Sequence, residues 1–209
     1  MSTWTSSAAL AGAFALAGCA LSPSGSPPRE VVVARGAIAV SAPPGYCVDR
    51  AALRDAEDGS FVLMASCASL DPRAEGPAAL PAILTVTVSA ADPELEPPRA
   101  AELAQATPVP AIATVQRGAL ALAHFSEGGD SILPGGDPRH WRGATGAGGR
   151  VIGLALYAPE GSPLAGEAGG QLVGAAAARI EARAPRRQPN ESEERPRAGL
   201  GGALARLFN

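Results

Sequence analysis

Apolar and polar positions alternate most cleanly over residues 82–89 (Ala-Ile-Leu-Thr-Val-Thr-Val-Ser), where Leu84, Val86 and Val88 share one face and Thr85, Thr87 and Ser89 the other. A period of two predicts a β-strand with one buried face. Residues 60–67 (Ser-Phe-Val-Leu-Met-Ala-Ser-Cys) form a continuous apolar run bounded by Gly59 and read as a second strand. Short β-branched stretches at 31–34 and 37–40 end at Pro43-Pro44-Gly45. Residues 111–116 and 119–125 flank Arg117-Gly118, a hairpin signal, and 139–144 and 150–157 flank residues 145–149 as another. Helical spacing appears in two places: 97–106, with Pro near its first turn, and 164–182, where Leu172, Val173, Ala176 and Ile180 fall on one stripe. Asp49 stands as an N-cap before a short polar helix or turn over 50–57, and 70–81 is a Pro-rich loop.

Paired strands with helices between and after them predict an α+β domain over residues 30–183, an antiparallel sheet with helices packed on one face. The last strand, the loop Ala-Pro-Glu-Gly-Ser-Pro at 158–163 and the closing helix resemble PsbP-like domains. That likeness concerns fold and does not carry function.

The two ends depart from this pattern. Residues 8–18 are an apolar run of eleven small residues, too short for a bilayer core that needs about 20. The run fits the apolar region of a secretory signal peptide. It closes on Leu16-Ala17-Gly18-Cys19, which resembles a bacterial lipobox. The resemblance implies removal of residues 1–18 and lipidation of Cys19, and Ala20 after the cysteine implies sorting to the outer membrane. Residues 1–18 hold no Arg or Lys, a departure from the usual positive leader. The competing reading is a buried helix ending in a free thiol. Two or more acyl chains, at about 0.8 kcal/mol per buried methylene, hold a protein on a membrane durably. Residues 20–29 are a Ser-, Pro- and Gly-rich tether.

At the other end, residues 184–198 mix Arg186 and Arg187 with Glu191, Glu193 and Glu194 among prolines, a solvated linker that buries too little to order itself. Residues 199–209 then place Leu200, Leu204, Leu207 and Phe208 at i, i+4, i+7 and i+8, a short amphipathic helix suited to a partner groove or a membrane surface.

Export alters how the remaining cysteines read. With Cys19 lipidated, Cys47 and Cys67 are an even pair in an oxidising compartment. A disulfide between them closes a loop of about 20 residues, worth roughly 3 kcal/mol by loop entropy. A metal or redox pair is the alternative, but no C-x-x-C or nearby His accompanies it.

Composition narrows the function classes. Hydrophobic residues make up 46% of the chain but aromatics only 4%, so the core is built from Ala, Leu and Val and a cross-link matters. The net charge of -3 offers no field for nucleic acid. All 17 basic residues are Arg, which with so much Ala, Gly and Pro reflects coding bias.

Candidate chemistry is thin. Gly129-Asp130-Ser131-Ile132 resembles the nucleophile block of GDSL-type hydrolases, and Asp137-x-x-His140 its acid and base pair. The two blocks lie six residues apart here, whereas that family separates them by most of a domain, so no catalytic residues are assigned. His124, Asp137 and His140 lack a helical i, i+4 pair or a third His, so neither a metal nor another cofactor is assigned. Gly143 to Gly149 is Gly-rich but precedes a strand, unlike a phosphate loop. Trp141, with His140 beside it, is a candidate ligand platform whose alternative is a core position.

Several segments together resemble a family of alphaproteobacterial, rhodobacterial-type envelope lipoproteins: Leu16 to Cys19, Pro44-Gly-Tyr-Cys-Val-Asp49, residues 61–67, residues 81–89, His140-Trp-Arg-Gly143 and residues 149–156. That family carries no assigned activity. The resemblance implies a membrane-anchored periplasmic protein whose partner is another envelope component, with a small-ligand or cell-wall binding module as the alternative.

Overall fold

The computed structural model describes residues 26–183. In chain order these form β1 (Glu30–Val33), β2 (Ile38–Ser41), β3 (Tyr46–Val48), β4 (Arg54–Asp55), β5 (Gly59–Ser66), α1 (Cys67–Leu70) and β6 (Ile83–Ser89). There follow α2 (Ala100–Gln105), β7 (Ala111–Arg117), β8 (Leu120–Phe125), α3 (Gly129–Ile132), β9 (His140–Ala147), β10 (Arg150–Tyr157), a 3-10 turn (Pro163–Ala165), α4 (Glu167–Ala177) and β11 (Ile180–Ala182). The fold is α+β and its strand pairings are antiparallel. A large sheet runs β3-β5-β6-β10-β9-β8-β7, with β4 added on β5, and a small sheet runs β1-β2-β11. Among the described residues no helix is long and apolar enough to cross a membrane.

The alternation read from the sequence is the alternation of burial. Leu84, Val86 and Val88 of β6 are buried, and they line up with Val62 and Met64 of β5 and Ile152, Leu154 and Leu156 of β10. This core face meets α4 and the small sheet, from which Val33, Ile38 and Val40 enter the same cluster. The core is mainly aliphatic, as the composition requires, and Tyr46 and Trp141 are the aromatics in it. β8 is buried from Ala121 to Phe125 because it is covered twice. Leu122 and His124 face α4, while Ala121 and Ala123 face α2, whose Ala100 N–H donates to the Gln116 side chain.

One expectation is corrected and another resolved. The closing helix does not run from 164 to 182: it ends at Ala177, and Ile180 to Ala182 form β11 against β2. Leucine, alanine and isoleucine at helical spacing also suit a strand, and β2 offers an edge to pair with. Of the short helix or turn expected after Asp49, the turn is what forms, over 50–52. Asp49 accepts the Ala51 N–H at 2.8 Å in this tight turn, and β4 follows. That strand has a use: Asp55 Oδ1 accepts the Ala34 N–H at 2.8 Å, holding the β1–β2 turn where Ala34 and Arg35 have positive φ of 56° and 57°.

Cys47, on the edge strand β3, is joined to Cys67 at the start of α1, Cα to Cα 4.8 Å. The disulfide expected from the cysteine count is present. It pins β3 to the far end of β5.

Candidate functional site

The titratable residues singled out in the sequence gather where β8, β9 and β10 run side by side, and the strand register sorts them onto two faces. His124 pairs with Trp141 across β8 and β9, and Phe125 pairs with His140. Successive residues point oppositely. His124 and Trp141 therefore face the core and α4, while Phe125, His140, Arg142 and Tyr157 occupy the reverse face.

On the core face the His124 and Trp141 rings stack, centroids 4.4 Å apart and within 2° of parallel. Trp141 is only 6% exposed. Its indole N–H donates to the Gly166 carbonyl at 2.8 Å, and His124 Nε2 lies 2.8 Å from the Ala165 carbonyl. Two glycines of α4 make room for the indole: a Cβ on Gly169 or Gly170 would fall 2.9 Å from it. Burial lowers the His124 pKa from the usual imidazole value, which favours the neutral ring in the stack. The indole N–H and His124 Nε2 are thus both engaged by backbone carbonyls, and both rings lie under the 3-10 turn and α4.

On the reverse face Phe125, His140 and Tyr157 form a row, with His140 5.2 Å from Phe125 and 5.5 Å from Tyr157. His140 is 4% exposed, and burial together with the nearby Arg142 charge lowers its pKa. Its Nδ1 makes no well-formed hydrogen bond, although the carbonyls of Glu127 and Pro138 lie beside the ring. Arg142 sits 5.7 Å over the Phe125 ring. Its Nε is buried without a hydrogen-bond partner, and it makes no ion pair among the described residues.

The loop between β8 and β9 holds Ser131 and Asp137. Ser131 is exposed and donates its hydroxyl to the Gly128 carbonyl at 2.7 Å, closing its own turn. Asp137 binds Arg139 twice, at 2.9 and 2.8 Å, and the Arg139 hydrogen bond lowers its pKa to about 2. Among the described residues no hydrogen bond joins Ser131, Asp137 and His140, so the structure does not assemble them as nucleophile, acid and base. No group of three His, Cys, Asp or Glu side chains among the described residues is placed to hold a metal ion. Cys19 and the Leu200, Leu204, Leu207 and Phe208 stripe lie outside the described residues.

Sequence reasoning passes over the reverse face of β5, β6 and β10. Phe61, Leu63, Ile83, Val151 and Ala155 are half-exposed there, between the buried positions of the same strands. A shallow, open hollow lies on this face, lined by Phe61, Thr87, Val151 and Gly153 together with Arg54 and Asp58. A signal for it does exist in the continuous apolar run 60–67: a strand apolar at every position has an apolar second face.

The fold and site thus describe a two-sheet α+β body with one open, partly apolar sheet face and no assembled catalytic group among the described residues. No family model and no curated protein matches the sequence. A solved structure from Bacteroides thetaiotaomicron VPI-5482 is similar with a TM-score of 0.39 and 14% identity, over 76% of this chain. The chain spans about half of that one, 49% of its length. At that level the likeness carries no argument.

Proposed function

We propose that this chain is a lipid-anchored periplasmic domain that binds or helps assemble another envelope component and carries out no reaction of its own. The observation that carries the reading is the Cys47–Cys67 disulfide. Structural disulfides form and persist in exported proteins and are rare in reducing cytoplasm. It supports reading Leu16-Ala-Gly-Cys19 as a lipobox, with outer-membrane sorting following from Ala20. Trp141, His124 Nε2, Ser131 and Asp137 are each hydrogen-bonded within the protein, which favours a surface role over catalysis. The Leu200, Leu204, Leu207 and Phe208 stripe is the contact segment, carried by a lipid-tethered body at raised local concentration.

Two experiments test this. Cys19→Ser should move the protein from the membrane fraction to the soluble periplasm and abolish incorporation of labelled palmitate. Unchanged membrane association would remove the anchor from the proposal. In-cell crosslinking with mass spectrometry, on the full chain and on a chain ending at Ala184, should yield a discrete partner that is lost on truncation. Finding no protein partner in either form would reject the adaptor reading.

A further inference from the structure

The reverse face of β5, β6 and β10 has an apolar floor, and neighbouring β9 adds a cation that makes no ion pair among the described residues. Gly153 gives the floor its depth: a Cβ there would fall 2.6 Å from Thr87 Oγ1, so glycine is what keeps the hollow open. Phe61 and Val151 wall it. Arg142 stands at the inner margin of the same face, paired across the ladder with Ala155 of β10. Arg142 is only partly buried, and its guanidinium makes no ion pair among the described residues, so its accessible part can take an acceptor from an occupant. The feature therefore asks for an occupant that is apolar in one part and carries carboxylate in another.

The chain itself supplies one. Arg183 is held at the sheet's end, its backbone N–H donating to the Ala37 carbonyl at 2.7 Å and its guanidinium 2.8 Å from Glu30. The side chain of Ala182 lies 3.2 Å from the Cβ position of Gly148, in the β9–β10 turn from which Val151 sets out. Residues 184–209 continue from this point, with Glu191, Glu193 and Glu194 followed by Leu200, Leu204, Leu207 and Phe208. Eight residues of extended chain reach about 27 Å. From Gly148 to Arg142 along the strand is about 20 Å at 3.3 Å per residue. The acidic residues can thus reach Arg142, and the six residues after Glu194 are enough to bring Leu200 back over the hollow.

We propose that residues 191–208 dock on the reverse sheet face of their own chain, with a carboxylate from Glu191, Glu193 or Glu194 on Arg142 and the Leu200–Phe208 stripe in the hollow at Gly153. Intramolecular attachment supplies an effective concentration of order millimolar, so a weak contact suffices. The inference goes beyond the partner reading. It describes the chain alone, and an envelope partner that takes the stripe must compete with the chain's own sheet.

The test uses the purified mature chain with Cys19→Ser and Thr87→Cys, which places a single free thiol on the exposed side of the hollow. Maleimide labelling of this introduced thiol should be slower in the full chain than in the same chain ending at Arg183, by about fivefold or more. The Glu191, Glu193 and Glu194→Gln triple variant should restore most of the fast rate. Arg142→Gln should do the same, and because the Glu variant lies outside the described body, it separates docking from misfolding of the sheet. The protection should not depend on protein concentration. Equal rates in the full and truncated chains would overturn the proposal. Protection that grew with concentration would overturn it in favour of a second copy, and protection that required added envelope protein would overturn it in favour of a partner. A failed crosslinking screen in cells would leave this measurement untouched, so the two readings fail separately.

Discussion

At the scale of single residues, the contact between Trp141 and α4 shows how two missing side chains set a structure. Gly169 and Gly170 are both buried, and each would put a Cβ 2.9 Å from the indole. Ala in place of a helical Gly gains up to about 1 kcal/mol from propensity. Forcing a methyl into a packed aromatic contact costs about 1–3 kcal/mol, and here the ring cannot retreat because its N–H is bonded to Gly166. Overpacking therefore wins. Gly170→Ala should lower stability in urea unfolding by about 1–2 kcal/mol, whereas Gly174→Ala, with no atom closer than 3.6 Å, should be neutral or stabilising. The buried titratable groups give a second prediction at this scale. His124 and His140 have pKa values lowered from 6.5 by burial, so the unfolded chain takes up their protons first as pH falls. A state that binds more protons gains on acidification, so stability present above pH 6.5 declines below it. Asp137 is lowered from 3.8 to about 2, so its contribution holds above 3.8 and is lost from there down to about 2. Unfolding free energy measured from pH 7.5 downward should fall in these two windows. His140→Gln should flatten the upper one and Asp137→Asn the lower.

At the scale of elements, legibility follows the physics of each segment. β6 is legible because Thr85 and Thr87 interrupt its apolar face at every second position, and a half-covered strand leaves that trace. The hairpins β7–β8 and β9–β10 are readable from Gly118 and from Gly148-Gly149, all of which take positive φ. The far end of α4 misleads because the spacing from Leu172 to Ile180 fits a helix, and nothing local marks the change at Ala178. What ends the helix is the edge of β2, far away in sequence, which pairs Ile180 with Val40. The ligand platform at Trp141 and the trio of Ser131, Asp137 and His140 concern side chains whose partners are hidden in a sequence: Gly166, Gly128 and Arg139. Arg142 makes no ion pair among the described residues, and nothing in the sequence sets it apart from the other arginines. The contribution of β11 is measurable. A chain ending at Arg179 should be less stable than one ending at Arg183 by about 1–3 kcal/mol, through lost strand hydrogen bonds and the half-buried Ile180. Equal stability would mean that β11 adds nothing to the small sheet.

At the scale of the whole molecule, a single aliphatic core is asked to hold two sheets together. The large sheet is covered on its core face by α4 and the small sheet, whereas among the described residues the reverse side of β5, β6 and β10 has no helix or sheet packed over Phe61, Thr87 and Val151. Its β3 edge is the weakest end: three residues, paired only with β5 in the large sheet. The Cys47–Cys67 disulfide lies there, with the Tyr46 hydroxyl donating to the Leu80 carbonyl at 2.7 Å beside it. A cross-link closing about 20 residues is worth roughly 3 kcal/mol by loop entropy. For a domain of this size each kcal/mol moves Tm by about 2–4 °C. Cys47→Ser should therefore lower Tm by about 6–12 °C, and reduction of the wild-type chain should lower it by a similar amount. Because the bridge fastens an edge strand, the loss should begin locally. Amide exchange in β3 and in the loop through Leu80 should rise before exchange in β6 and β10, whose core positions lie at the centre of the packed face. Uniform acceleration across all strands would instead mean that the disulfide acts on the unfolded chain alone. Unchanged Tm would mean that the oxidised pair contributes nothing to folding, and the link between this cross-link and an exported life for the protein would lose its physical basis.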